Sequence, residues 1–185
     1  METEDQTIAM AAAGDQNAFE MLYRHYVTRV YRYVITQARN AADADDLTSQ
    51  TFLAALIDIG DYRGNAPFAG WLFGIAYHAA GTYYRRAKPY LPLDEAEHIP
   101  HPTPPLDAQA HQRLQLRRII VAMNDLTPER AEALRLRIFG ELSAAEVAQL
   151  MGRTIPAVKM LLHRAVHDLR RQLNAADSTD SWEED

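Results

Sequence analysis

Aromatic rings set beside cations are the first chemistry this sequence offers. Tyr62 adjoins Arg63, Tyr77 adjoins His78, and Tyr83-Tyr84 precede Arg85-Arg86, with Trp71 among them. Every base can stack on an aromatic face while a neighbouring cation meets its phosphate, so such clusters suit a single strand of nucleic acid. Rings of this kind serve equally as core packing. Tyr23 and Tyr26, which fall on an apolar helical stripe, are read as core. A second group, Arg153, Thr154, Ala157, Lys159, Met160, His163 and Arg164, occupies the first turns of a helix that follows a short helix and a tight turn. That is the arrangement of a major-groove reader, although a helical hairpin that only packs has the same local pattern. His163 and His167 stand four apart, a spacing that can hold a metal. No third ligand is evident nearby, so no metal site is expected. The chain has no nucleotide-binding glycine loop and no convincing catalytic constellation. The expectation is a protein that binds, without a cofactor, and not an enzyme.

The elements that must position these residues are helices. Ser143 caps a helix and Glu146, three residues on, completes a capping box. Val147, Leu150 and Met151 give that helix its apolar face, and Gly152 suits the left-handed residue that ends it. Thr154 caps the next helix, with Pro156 in its first turn, and the pattern carries it to about Leu173. Upstream, a helix is predicted over about 108–123. Thr127-Pro128 starts another, with capping and first-turn proline chemistry together, and it stops at Gly140. In the first half, Phe19, Leu22, Tyr23, Tyr26, Val30 and Tyr33 form one stripe at three- and four-residue spacing. A break follows near Asn40. A second helix starts around Asp43 and runs to Ile59, residues 60–66 form a loop, and Pro67 opens a third helix that ends in Arg85-Arg86-Ala87-Lys88. Nothing reads as a strand.

Six of the nine prolines lie between Pro89 and Pro105. Proline fixes φ and removes an amide donor, so this stretch is an extended, semi-rigid spacer. The fold class is therefore all-α: two small helical domains, 1–88 and 108–173, joined by a Pro-rich acidic linker over 89–107, the second a helix-turn-helix domain, with an acidic tail over 174–185.

The formal net charge of −6 conceals an uneven distribution. Residues 111–173 hold 11 Lys/Arg against 6 Asp/Glu, whereas residues 174–185 hold 5 Asp/Glu and no Lys/Arg. Local field governs phosphate binding, so the helix-turn-helix half can bind DNA despite the acidic total. The tail is most simply a solvated end; alternatively it competes with DNA for the basic block. There are no cysteines, which excludes disulfides and thiolate metal sites. No apolar run is long enough for membrane insertion, the first residues are acidic where a secretory signal is basic, and a cytoplasmic protein is expected.

Several segments together resemble the extracytoplasmic-function (ECF) sigma factors of bacterial RNA polymerase, over about residues 14–173. Gly14-Asp15-Gln16-Asn17-Ala18-Phe19 resembles the family's opening signature. Ala44-Asp45-Asp46-Leu47-Thr48-Ser49-Gln50-Thr51-Phe52 is similar to its polymerase-binding helix. Tyr62-Arg63-Gly64 with Phe68-Ala69-Gly70-Trp71-Leu72-Phe73-Gly74-Ile75-Ala76 is similar to its DNA-melting segment. Leu126-Thr127-Pro128-Glu129-Arg130, the capping-box helix, and Val158-Lys159 with Leu162-His163-Arg164-Ala165 match its second domain.

The resemblance implies promoter recognition and transcription initiation. Asp45, Asp46, Leu47, Gln50 and Phe52 would bind core polymerase. Tyr62, Arg63, Asn65, Trp71, Tyr77, His78, Arg85 and Arg86 would engage the start-proximal element during melting. Arg153, Thr154, Ala157, Lys159, Met160, His163 and Arg164 would contact the upstream element. Core RNA polymerase, promoter DNA and an anti-sigma factor are the implied partners, and the acidic linker would run along the polymerase. Two departures stand out: His78 falls where the family commonly has asparagine, and Met160-Leu161 where a small polar residue and an arginine are usual. Weaker or less selective upstream binding is expected. A stand-alone DNA-binding regulator, or a sigma-like protein that sequesters a partner, is the rival reading.

Overall fold

The chain is described here by a computed structural model covering residues 3–86 and 118–180, without the side chains of 85–86 and 175–180. The expected spacer, the helix start near 108 and the last five residues lie outside the described residues.

The first unit begins with a helix that lies ahead of the three expected there. α1 (Glu4–Ala12) is closed at its start by a reciprocal box between Thr3 and Gln6 and buries Thr7, Ile8 and Ala11. Gly14, at φ +98, turns the chain into α2 (Gln16–Ile35), where the Asp15 carboxylate accepts from the Asn17 and Ala18 amides. α3 (Ala41–Asp58) starts two residues earlier than expected because the Asn40 side chain caps it through the Asp43 amide at 2.8 Å. A 3-10 turn (Ile59–Asp61) and the 62–67 loop lead to α4 (Phe68–Arg86).

The second unit opens with a helical stretch over 118–123 (α5). It continues through α6 (Pro128–Ile138), α7 (Ala144–Met151) and α8 (Ile155–Asp180). Thr127 precedes the Pro128 start of α6 but makes no side-chain cap bond, so only the proline half of that expectation holds. α7 has its Ser143–Glu146 box, with bonds of 3.2 and 2.8 Å, and Gly152 ends it at φ 61. The Thr154 hydroxyl accepts from the Ala157 amide at 3.3 Å and caps α8. Beneath this hairpin Met123, Leu134, Leu136, Leu142, Val147 and Val158 are fully buried. Each such side chain contributes roughly 1.5–3 kcal/mol, enough together to fix the angle between α7 and α8 without a disulfide. α8 does not stop near Leu173. It continues into the acidic segment, because nothing from Gln172 to Asp177 is a helix breaker.

Tyr23 is the other correction. It is 41% exposed and meets Phe52 edge-on at 4.7 Å, so the buried stripe of α2 is narrower than the six residues suggested. Tyr26, Val30 and Tyr33 are buried as read.

The two units touch. Tyr33 on α2 donates to Glu132 on α6 at 2.6 Å. Arg29 donates to the Gly140 carbonyl at 2.6 Å and approaches Glu141 at 3.4 Å. Gly70 and Gly74 of α4 face Glu146 and Leu150 of α7. Among the described residues the fold is one helical body with a seam between α2/α4 and α6/α7.

Candidate nucleic-acid interface

The aromatic cluster is real, and its rings divide by role. Tyr62 lies 5.7 Å from Phe68 and 5.4 Å from Trp71, and Phe68 lies 5.3 Å from Trp71. Phe68 is buried, while Tyr62 and Trp71 are half-buried. The Tyr62 hydroxyl donates to the Ala66 carbonyl at 2.6 Å, which folds the loop into a compact shape; Gly64, at φ 68, supplies its left-handed residue. Arg63 and Asn65 project to solvent, and Arg63 donates to the Gly60 carbonyl at 3.0 Å. Between this loop and α1 is a cleft of about 670 Å³, lined by Tyr62, Asn65 and Phe68 and also by Glu4 and Asp5. Burial, then the charges of Asp5 and Glu4, push the Tyr62 phenol above its ordinary pKa, so it stays a neutral hydrogen-bonding group.

Farther along α4 the expected residues separate. His78 is exposed and opens onto a different groove, of about 610 Å³, shared with Asp46, Gln50 and Tyr83. Tyr77 is half-buried, with its ring 5.7 Å from that of His78. Tyr83 is not free to stack. Its hydroxyl donates to Asp43 at 2.5 Å and accepts from the Arg39 side chain at 2.8 Å, with the Arg39 guanidinium 5.5 Å from its ring. It ties α4 to α3. Tyr84, 58% exposed, is the available ring of that pair. Arg85 and Arg86 end α4, and their side chains lie outside the described residues.

On α3, Asp45, Asp46 and Gln50 are exposed, whereas Leu47 and Phe52 are buried in the core. Those two support the surface from beneath, and Leu47 also lines the groove shared by Asp46, Gln50 and His78. The line Asp46, Gln50 continues to Leu53 and Ile57, 59% and 72% exposed, at the three- and four-residue spacing of one helix face. Sequence reasoning missed these. The available signal was a run of large apolar residues in excess of what one buried face can take.

The second unit presents its recognition helix openly. Lys159, Met160, His163 and Arg164 are exposed, Ala157 is half-buried and Val158 is inside. Leu161 and Leu162 pack against the core. Arg153 is paired with Glu129, and Thr154 is used as the cap; both are exposed beside the recognition helix. A groove of about 490 Å³ brings Lys159 and His163 together with Arg137, His167 and Arg170. Arg137 and Arg170 were not singled out from sequence; Arg170 follows Lys159, His163 and Val166 at helical spacing, and Arg137 comes from another helix. Arg130 holds α6 to α8 through Asp168 at 2.7 Å. Among the described residues no group of three His, Asp or Glu side chains gathers as a metal site, and no helix is long and apolar enough to cross a membrane.

A half-buried aromatic cleft on one unit and an exposed basic recognition helix on the other are suited to two states of DNA, strand and duplex. Comparison with known proteins agrees. The Sigma-70 region 2 family matches residues 22–90 and the Sigma-70, region 4 family matches residues 116–169. The chain is 34% identical to the ECF RNA polymerase sigma factor BldN of Streptomyces coelicolor, over 91% of this chain and 65% of BldN. It is 32% identical to the ECF RNA polymerase sigma factor SigD of Mycobacterium tuberculosis, over 93% of this chain and 84% of SigD. Among solved structures, CnrH in complex with the cytosolic domain of CnrY superposes with a TM-score of 0.71 at 25% identity, covering 91% of this chain and 96% of CnrH. The sigma factor RpoE from Bartonella quintana, solved with the anti-sigma factor NepR, shares the fold at a TM-score of 0.67 and 19% identity, covering 84% of this chain and 96% of RpoE. Motifs, fold and relatives converge: the chain belongs to the extracytoplasmic-function sigma factors, which direct RNA polymerase to promoters.

Proposed function

We propose that the three exposed surfaces divide the work of initiation. The α3 line of Asp45, Asp46 and Gln50 docks on core polymerase. The 62–71 loop and α4 take the unpaired strand at the start-proximal element, with Tyr62 and Trp71 as stacking faces and Arg63 and Asn65 at the rim. The α8 face of Lys159, Met160, His163 and Arg164 lies in the major groove of the upstream element, joined by Arg137 and Arg170 as phosphate contacts. The single observation that carries this reading is that an exposed acidic α3 line, a half-buried aromatic cleft with Arg63 and Asn65 exposed at its rim, and an exposed basic helix stand on different elements.

The departures from the family tune the reading. His78 shares a groove with Asp46 and Gln50, so an imidazole would meet DNA beside the polymerase contact and offer fewer hydrogen-bonding groups than an amide. Met160, 51% exposed, gives an apolar contact suited to a thymine methyl, while Leu161, packed against the core, stands where the family's arginine would supply a phosphate contact. CnrH was solved with CnrY and RpoE with NepR; by likeness, this chain too is held by an anti-sigma partner and works in the cytoplasm beside polymerase.

The test is Asp46→Arg in the full chain. Co-purification with core polymerase and run-off transcription should both be lost, while circular dichroism and the melting temperature stay at wild-type values because Asp46 is exposed. Retained co-purification would move the docking surface elsewhere.

A further inference from the structure

The cleft between α1 and the 62–67 loop carries a charge that phosphate binding does not explain. Its apolar lining is aromatic: the Phe68 ring lies 5.4 Å from Tyr26 and 5.7 Å from Tyr62. On the α1 side it is lined by Glu4 and Asp5, both in the first turn of that helix and both exposed. The Tyr26 hydroxyl donates to Glu4 and so holds that carboxylate in place. One such bond leaves a carboxylate most of its accepting capacity. The field of the two acids reaches the Tyr62 phenol, the aromatic group on the loop side.

A phosphate is repelled by such a wall, so the strand's backbone stays at the rim, where Arg63 is exposed. A base is uncharged and can enter. The cleft, about 670 Å³, falls within the range of roughly 300–1,000 Å³ of small-molecule sites, which leaves room for one base against the rings.

Once a base is inside, the acids discriminate. Ionised carboxylates accept and never donate. Cytosine N4, adenine N6 and guanine N2 are amino donors, whereas thymine presents the acceptor O4 and a methyl group. Thymine therefore sets oxygen lone pairs against negative charge. The Tyr62 hydroxyl cannot compensate, because its proton is given to the Ala66 carbonyl.

We propose that Glu4 and Asp5 are specificity-determining residues of strand capture: they make the α1 cleft select an unpaired base with an exocyclic amino group and reject thymine. This rests on the sigma-factor reading above and deepens it by naming what the cleft selects.

The test uses the full chain, assembled with core polymerase, on a promoter library randomised over the start-proximal element, with the bases counted in the transcribed fraction. The wild-type protein should deplete thymine at one position or more by roughly tenfold against the amino-bearing bases, the discrimination given by one good contact to a base edge. In Glu4→Gln/Asp5→Asn each carboxylate becomes an amide that also donates, and Glu4→Gln keeps an oxygen for the Tyr26 hydroxyl. The double variant should admit thymine to within about twofold at a single such position and leave the others unchanged. Thymine depletion that survives everywhere in the variant would overturn the assignment, as would a wild-type protein indifferent to thymine at every position. A loss of preference spread over all positions would overturn it too, since that marks general weakening and not the reading of one base. A wild-type protein that transcribes no member of the library would instead overturn the sigma reading, a separable result.

Discussion

Replacing Tyr33 by phenylalanine removes one oxygen and keeps the ring that meets Phe73 edge-on at 5.6 Å. That oxygen donates across the seam to Glu132 at 2.6 Å. Burial pushes the Glu132 carboxyl above its ordinary pKa, and the Tyr33 hydroxyl and Arg135 pull it partly back. Without the phenol, Glu132 retains Arg135 at 3.5 Å. A hydrogen bond to a charged group nets about 1.5–3 kcal/mol, so the fold, which this bond joins across the seam, should weaken by about 2 kcal/mol. At about 1.4 kcal/mol per factor of ten, the folded-to-unfolded ratio should fall roughly thirtyfold. Denaturant unfolding of the full chain reads this ratio. A double-mutant cycle with Glu132→Gln isolates the pair. An unfolding free energy within a few tenths of a kcal/mol of the wild-type value would show that the bond does not hold α2 to α6.

Two further outcomes follow from charge. Lys159→Glu should weaken duplex binding and flatten its salt dependence by roughly one to two counterions; equal affinity and slope in a fluorescence-anisotropy titration would remove α8 from the duplex. Because burial raises the Glu132 pKa in the folded protein, the fold holds that proton more tightly than the unfolded chain does. The stability this contributes is fully present below the ordinary carboxylate range and is lost as pH rises through the raised value. The groups facing Glu132 are Tyr33 and Arg135, with Gln37 beside the phenol. Tyr33 is itself pushed well above its ordinary value, mainly by burial, and stays neutral throughout. Denaturant unfolding followed across this pH range should show that contribution shrinking as pH rises, and Glu132→Gln should abolish the dependence; an opposite slope would refute the assignment.

Local chemistry was legible and long-range partnership was not. The Ser143–Glu146 box, the Gly152 terminus and the Thr154 cap are decided within four residues, and all three stand as read. α1 carries the same kind of signal in Thr3 and Gln6, a box decided within four residues and as legible as the other. The role of Tyr83 depends on Arg39 and Asp43, some forty residues away, which no spacing rule reveals. The same holds for Leu47 and Phe52: periodicity places them next to the docking residues, but only the packing of α3 against its neighbours decides that they face inward. The seam left a single trace in the sequence, the pair Gly70 and Gly74 on one helix face, and glycines at that spacing do not name what approaches them.

Because α8 runs unbroken from Ile155 to Asp180, the acidic end is carried on a rod and not on a string. At about 1.5 Å per residue, the helix sets the backbone of Asp177 roughly 27 Å from that of Lys159. Ions in physiological solution extinguish a field over about 8 Å. The rod thus carries its acidic end away from the first turns of the recognition helix, while the backbone of Arg170, two turns before Asp177, stays within roughly 10 Å of it.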